Sequence, residues 1–193
     1  TDSSIKSVLS SNGVINMLNT KYIIYNPNAS PLFNKYANGN AWFIKNIQFV
    51  KNADEEIMSL NTINTKETAV IDEKFKEQIN TLNFNIDSTD NIRLTEYKPN
   101  HLTYESSTSN NVPVVFSEIY YEDGWNAYVD NQQSTYFRTN YVLRGMVIPA
   151  GKHKIEFKFE PAQNQIRLTT SLIFSLLLIL LLGFSVYKEL KKS

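Results

Sequence analysis

The densest group of residues able to bind a ligand lies in YYEDGWNAYVDNQQ, residues 120–133, which carries four aromatic rings and three carboxylates. A tyrosine offers an apolar face with a polar edge, the combination that a sugar ring contacts. If GWNAYVD is a strand, Tyr128 points to the polar face, opposite the apolar residues. We therefore predict substrate binding by Tyr128, supported by Tyr121. The alternative, a turn and a core strand without a binding role, is the prediction for Gly124, Trp125 and Val129.

Catalysis and metal binding find little support in the residue types. Two carboxylates among Glu118, Glu122, Asp123 and Asp130 would suit a glycosidase, but acids at turns and on wet strand faces are far commoner. The chain has two histidines and no cysteine, which excludes disulfides, thiolate catalysis and Cys-ligated zinc. With 19 basic and 19 acidic residues there is no net field to attract nucleic acid. We predict no catalytic residue, no metal, no cofactor and no nucleic-acid partner.

Alternation of apolar and charged residues predicts the elements that position this stretch. In KHKIEFKFEP, residues 152–161, Ile155 and Phe157 alternate with charges, as in a strand with one buried face. Turn residues separate several such strands, which predicts an antiparallel β-sandwich. We expect one hairpin to join VPVVFSEIYY to WNAYVD through residues 122–124. We expect a second over residues 141–159, a further tight turn at Asp130 and Asn131, and another turn between two strands around Pro99 and Asn100.

The N-terminal half has a mixed, α+β pattern. AWFIKNIQFV, residues 41–50, predicts a strand, and ADEEIMSLNTI, residues 53–63, predicts a helix with acids in its first turn. The polar segment IDSTDN is a candidate boundary. We therefore expect a mixed α/β part over residues 1–88 and a β-sandwich-like part over residues 89–165, either as two domains or as one.

The stretch LTTSLIFSLLLILLLGFSVY, residues 168–187, has twenty residues without a charge. As a helix it would be roughly 30 Å long, the thickness of a bilayer core. We predict a transmembrane helix over residues 166–190 and a cytoplasmic tail over residues 191–193. The lysines that follow the stretch place the C-terminus in the cytoplasm and residues 1–165 outside it. The alternative, a buried soluble helix, would normally keep a polar face.

The beginning of the sequence lacks the basic start and apolar run of a signal peptide. Delivery of residues 1–165 across a membrane would need such a segment. We therefore expect the chain to be the C-terminal part of a longer protein, and we expect earlier transmembrane segments of that protein to be its partners.

Several blocks, in this order and followed directly by the apolar stretch, resemble the C-terminal region of the bacterial membrane protein YfhO family: MLNTKYII (17–24), GNAWFI (39–44), YYEDGWNAYVD (120–130) and NYVLRGMVIPAGKHKIEFKFEP (140–161). The resemblance implies a polytopic glycosyltransferase, similar to the GT-C class, that moves a sugar from a lipid-linked donor to a cell-envelope polymer. It implies that the catalytic acid lies in an early extracytoplasmic loop, which has no counterpart here. This chain would then be an accessory or acceptor-binding part in the bacterial cell membrane.

A second interpretation belongs to another functional class. A β-sandwich on a single C-terminal helix also suits a surface carbohydrate-binding or adhesion module. An upstream reading frame with many membrane segments would favour the transferase, and a single signal peptide would favour the module.

Overall fold

The computed structural model describes residues 2–79 and 84–191. The elements of the first part are α1 (Asp2–Ser11), α2 (Gly13–Met17), β1 (Tyr22–Ile23), β2 (Leu32–Phe33), β3 (Ala41–Phe43), β4 (Asn46–Val50), α3 (Ala53–Ser59), β5 (Thr68–Asp72) and a 3₁₀ helix (Glu73–Gln78). Those of the second part are β6 (Asn91–Lys98), β7 (His101–Thr108), β8 (Val112–Ile119), β9 (Trp125–Val129), β10 (Gln132–Ser134), β11 (Phe137–Thr139), β12 (Leu143–Ile148), β13 (Gly151–Phe159) and α4 (Ala162–Leu190).

Two antiparallel sheets pack face to face. One has the strand order β10-β9-β13-β7-β6 and the other β11-β12-β8-β3. Alternate residues of their strands point inward, and three of the rings between the sheets, Tyr104, Phe116 and Phe157, meet edge to face with centroids 4.8 to 6.3 Å apart. We call this layer, with its aliphatic neighbours from both sheets, the sandwich core. The prediction of a mostly β, antiparallel chain is confirmed.

A second layer covers the other face of the four-stranded sheet. Strands β4 and β5 pair in parallel, with α3 between them in sequence. The side chain of Asn52 caps α3 by accepting a hydrogen bond from the Glu55 backbone N–H at 2.9 Å. Apolar residues from both halves of the chain fill this layer, the outer core: Met17, Trp42, Ile44, Val50, Leu60, Ala69, Val70, Ile71, Ile79, Val115, Phe137 and Leu143. The four-stranded sheet is therefore buried on both faces.

Two of the predicted turns form hairpins, and two do not. Strands β6 and β7 pair as Lys98↔His101, and β9 pairs with β10 as Val129↔Gln132. The predicted hairpin between β8 and β9 is wrong, because these strands lie in different sheets, and the same holds for β12 and β13. Gly, Pro and Asp suit a tight turn and a crossing between sheets equally well, so the local sequence did not separate the two.

The apolar stretch near the C-terminus lies in α4. The prediction of a transmembrane helix over residues 166–190 is wrong: no helix in the described part of the chain is long and apolar enough to cross a membrane. Of the predicted cytoplasmic tail, residues 192–193 lie outside the described residues.

Candidate functional site

A cavity of about 620 Å³ opens where the 3₁₀ helix, the connection between β8 and β9, and the turn between β11 and β12 meet. We call it the aromatic cleft. Its lining consists of Lys74, Phe75, Gln78, Ile119, Tyr120, Tyr121, Glu122, Asp123, Arg138, Tyr141 and Val142. It therefore combines aromatic rings with side chains of both charges.

The rings of the aromatic cleft differ in packing and exposure. Tyr120 packs edge to face on Phe75 at 6.2 Å and against Tyr136 at 5.4 Å. By contrast, Tyr121 is 55 % exposed and Tyr141 is 36 % exposed. The hydroxyl of Tyr136 donates to the Tyr121 carbonyl at 3.2 Å and so fixes the backbone that carries the exposed ring. Two accessible rings thus stand on a packed aromatic base.

The backbone of Tyr141 adopts a left-handed conformation, with φ of 71°, after Asn140 with φ of 48°. This conformation is uncommon for a bulky residue and costs of the order of 1 kcal/mol or more. Buried partners hold it in place: the Tyr141 N–H donates to Glu56 Oε1 at 2.8 Å, and the Asn140 N–H donates to the Val70 carbonyl at 2.8 Å. Strain of this kind is common where a side chain must face a ligand.

A buried carboxylate also positions the arginine of the aromatic cleft. Glu56 is fully buried, and Arg138 Nη2 donates to its Oε2 at 2.8 Å. Burial raises the pKa of Glu56, while the hydrogen bond from the Tyr141 N–H and the charge of Arg138 oppose that rise. The guanidinium lies 5.8 Å from the Tyr141 ring centroid. Glu56 therefore fixes both a ring and a cation at the wall of the aromatic cleft.

This arrangement suits binding of a neutral or mildly charged polyol. Exposed rings can stack on a sugar face, and the carboxylates of Glu122 and Asp123 and the Arg138 guanidinium can bond hydroxyls. Within the described residues, no group of three or more His, Asp or Glu side chains could hold a metal ion. The geometry of the aromatic cleft therefore favours binding of a polyol.

The two tyrosines predicted to bind substrate lie on different surfaces. Tyr121 lines the aromatic cleft, whereas Tyr128 lies on the outer face of the five-stranded sheet, opposite Glu156 of β13. The Tyr128 hydroxyl donates to Glu160 at 2.7 Å, which raises the pKa of Tyr128, and Lys158 Nζ lies 4.9 Å from its ring centroid. The outward direction of Tyr128 agrees with the strand alternation. The Lys158 ammonium, however, lies over the ring face that a ligand would contact.

The residues predicted as turn and core have packed positions. Gly124 has φ of 87°, and a Cβ there would lie 2.8 Å from Cε2 of Phe159. The Arg144 guanidinium lies 4.1 Å from the Trp125 ring centroid. Val129 packs against the sandwich core. The turn at 122–124 thus carries the chain from one sheet to the other.

Sequence reasoning missed Glu56, Arg138 and Tyr141. Arg138 and Glu56 are 82 positions apart, so no local pattern joins them. One local signal was present: Asn140 directly before Tyr141 is a residue type that tolerates the left-handed conformation. It marks a turn, without revealing what the turn faces.

Comparison with known proteins gives one match. A family model described as bacterial membrane protein YfhO matches residues 58–171, more than half of the chain, and this range contains the whole lining of the aromatic cleft. No curated protein matches the chain, and neither does any solved structure.

Proposed function

Since the chain belongs to the YfhO family of bacterial membrane proteins, we propose that it works at a bacterial cell membrane as the acceptor-binding part of a glycosyltransferase. In this proposal the aromatic cleft holds a segment of a cell-envelope polymer. The sugar comes from a lipid-linked donor bound by another part of the enzyme. The described residues orient the acceptor on the extracytoplasmic side and take no part in bond formation.

One observation carries the proposal: the strained backbone that presents Tyr141 beside Tyr121. A left-handed tyrosine costs free energy, and the fully buried Glu56 and the buried Asn140 hold it there. Two consecutive left-handed residues also form the hairpin turn at Asp130 and Asn131, where both residue types tolerate the conformation, whereas position 141 carries a bulky tyrosine that is 36 % exposed. A requirement that the Tyr141 ring face a ligand accounts for the left-handed backbone at this position.

The lining of the aromatic cleft supports a saccharide as that ligand. Exposed rings supply stacking area with little loss of side-chain entropy. Acidic and basic groups around them can accept and donate to the hydroxyls that ring stacking leaves at the edges. A cavity of about 620 Å³ is within the usual range for small-molecule sites.

The proposal is tested by kinetics of the enzyme in membranes. Tyr121→Ala and Tyr141→Ala should each raise the KM for the acceptor polymer several-fold, because a stacked ring contributes about 0.5–1.5 kcal/mol beyond its buried area. The value of kcat should stay unchanged, because the lost contact is the same in the ground and transition states.

Tyr97→Ala is the matched control, since Tyr97 is 65 % exposed and lies in β6, outside the aromatic cleft. It should leave both constants unchanged. Equal KM values for wild type, Tyr121→Ala and Tyr141→Ala would contradict acceptor binding in the aromatic cleft.

A further inference from the structure

A second cavity, of about 650 Å³, lies between α1, α2 and two loops. The loops are residues 35–38 and 61–66, and the α1–α2 junction at Gly13 closes one side. Its lining is rich in serine, threonine and asparagine. We call it the amide cleft. It is separate in its lining from the aromatic cleft and from the outer face that carries Tyr128.

The charge of the amide cleft has one sign. Lys35 and Lys66 line it, and no aspartate or glutamate does. The aromatic cleft, by comparison, balances its cations with Glu122 and Asp123. In a chain with equal numbers of acidic and basic residues, a concave surface with uncompensated cations raises the local concentration of anions.

Lys66 is an exposed lysine whose ammonium is held against the wall of this cleft. Its Nζ donates to the Asn38 carbonyl at 2.6 Å and lies 5.9 Å from the Trp42 ring centroid. Among the described residues no carboxylate lies within ion-pair distance of it, and the adjacent Glu67 is paired with Lys45 at 2.8 Å. Burial lowers the pKa of Lys66. The ammonium has three donors, so donors beyond the bond to the Asn38 carbonyl are available to a ligand.

Buried polar side chains hold the walls of the amide cleft in place. Thr65, 2 % exposed, donates through Oγ1 to the Gly13 carbonyl at 3.0 Å. Asn16 Nδ2 donates to the Leu9 carbonyl at 2.9 Å, and Asn34 Nδ2 donates to Asn16 Oδ1 at 2.9 Å. The indole of Trp42 donates to the Thr65 carbonyl at 2.9 Å. These bonds fix the two loops and the helix junction relative to one another before any ligand arrives.

We propose that the amide cleft binds an oxyanion carried on a sugar, either a phosphate or a carboxylate of an acidic glycan unit. Lys66 provides the charge-assisted hydrogen bond to the oxyanion. The hydroxyl and amide groups of the lining bond the sugar hydroxyls, which need both donors and acceptors. This inference does not rest on the proposed function, because it concerns another cavity.

Calorimetric titration of the full chain at low ionic strength tests the proposal with three probes: glucose 1-phosphate, glucuronate and glucose. We expect at least one of the two anionic probes to bind about tenfold or more tightly than neutral glucose. Lys66→Gln should weaken binding of that probe by about tenfold or more, as loss of a hydrogen bond to a charged group costs about 1.5–3 kcal/mol. Lys51→Gln makes the same charge change at an exposed position outside the cleft and should leave binding unchanged.

The preferred anion identifies the source: tighter binding of glucose 1-phosphate indicates phosphate, and tighter binding of glucuronate indicates carboxylate. Thermal melting checks that Lys66→Gln is folded. If that variant is unfolded, Lys35→Gln, which changes the second lysine of the cleft, provides the test and should also reduce anion binding. Equal binding of glucose and both anions, or full binding by both lysine variants, would overturn the proposal. Tyr141→Ala should not affect these titrations, so failure of the aromatic cleft and failure of the amide cleft are separate results.

Discussion

Asn140 bonds to Val70 of β5 through both its own side chain and its own backbone. Its Oδ1 accepts from the Val70 N–H at 2.9 Å while its own N–H donates to the Val70 carbonyl at 2.8 Å. Asn140→Ala would leave a buried N–H without a partner, at about 1–3 kcal/mol, and would place alanine in a left-handed conformation, at about 1–2 kcal/mol. We expect the free energy of unfolding, measured in urea, to fall by about 2–5 kcal/mol.

Asn131 provides the control for this prediction. It has φ of 67° in the exposed turn between β9 and β10, so Asn131→Ala carries only the cost of the conformation. That variant should lose about 1–2 kcal/mol. An equal loss in the two variants would show that the buried bond to Val70 contributes nothing.

For single residues, the sequence predicted which face of a strand a side chain lies on better than it predicted which distant side chain it pairs with. The outward direction of Tyr128 followed from the period of two in GWNAYVD. Ala127, the residue before it in the strand, is buried, so Tyr128 points to the opposite face. The roles of Glu56 and Arg138 did not follow, because their pairing depends on how distant elements dock. The site residues that were missed are those held by tertiary contacts alone.

Pairing of β11 with β12 depends on a glycine. Phe137 and Gly145 are register partners, and a Cβ at position 145 would overlap the Phe137 ring. Gly145→Ala therefore forces the ring out of the outer core. We expect a loss of about 1–3 kcal/mol in the free energy of unfolding, the usual cost of overpacking, measured by urea denaturation.

A smaller side chain at position 137 should relieve this clash. The double variant Phe137→Leu, Gly145→Ala should be more stable than the sum of the two single effects implies. Gly183→Ala makes the same addition in α4, where a Cβ meets no atom within 4 Å, and should leave the unfolding of the sheets unchanged. Strict additivity in the double variant would contradict the proposed overlap.

At the element scale, local pattern predicted strands and failed on their connections. The turn at Asp130 and Asn131 forms the expected hairpin with two left-handed residues. The turn at 122–124 has similar chemistry, yet it joins the two sheets. What decides between them is which apolar face can be buried, and β8 is covered on both faces while β9 is not. AWFIKNIQFV was likewise expected as one strand, but β3 and β4 belong to different sheets.

At the scale of the whole molecule, the four-stranded sheet joins the two parts expected from the sequence. Strand β3, from residues 1–88, pairs with β8 as Trp42↔Val115. The outer core combines Val115, Phe137 and Leu143 with apolar residues from the first part. A mild change of composition at residues 86–91 could not reveal this, because it reflects a surface turn. The layering follows from burial of both faces of one sheet.

Cutting the chain after Ser88 tests whether these layers fold as one unit. A fragment of residues 89–165 would lack β3 and would expose the outer-core face of Val115, Phe137 and Leu143, each at most 3 % exposed in the intact chain. Since full burial of such a side chain contributes about 1.5–3 kcal/mol, exposure of all three costs about 4.5–9 kcal/mol, which is comparable to the total stability of a domain. We expect the fragment to show no cooperative thermal transition in near-ultraviolet circular dichroism, and addition of a fragment of residues 1–88 to restore one. A cooperative transition of the 89–165 fragment alone, at the temperature of the intact chain, would instead establish two independent domains.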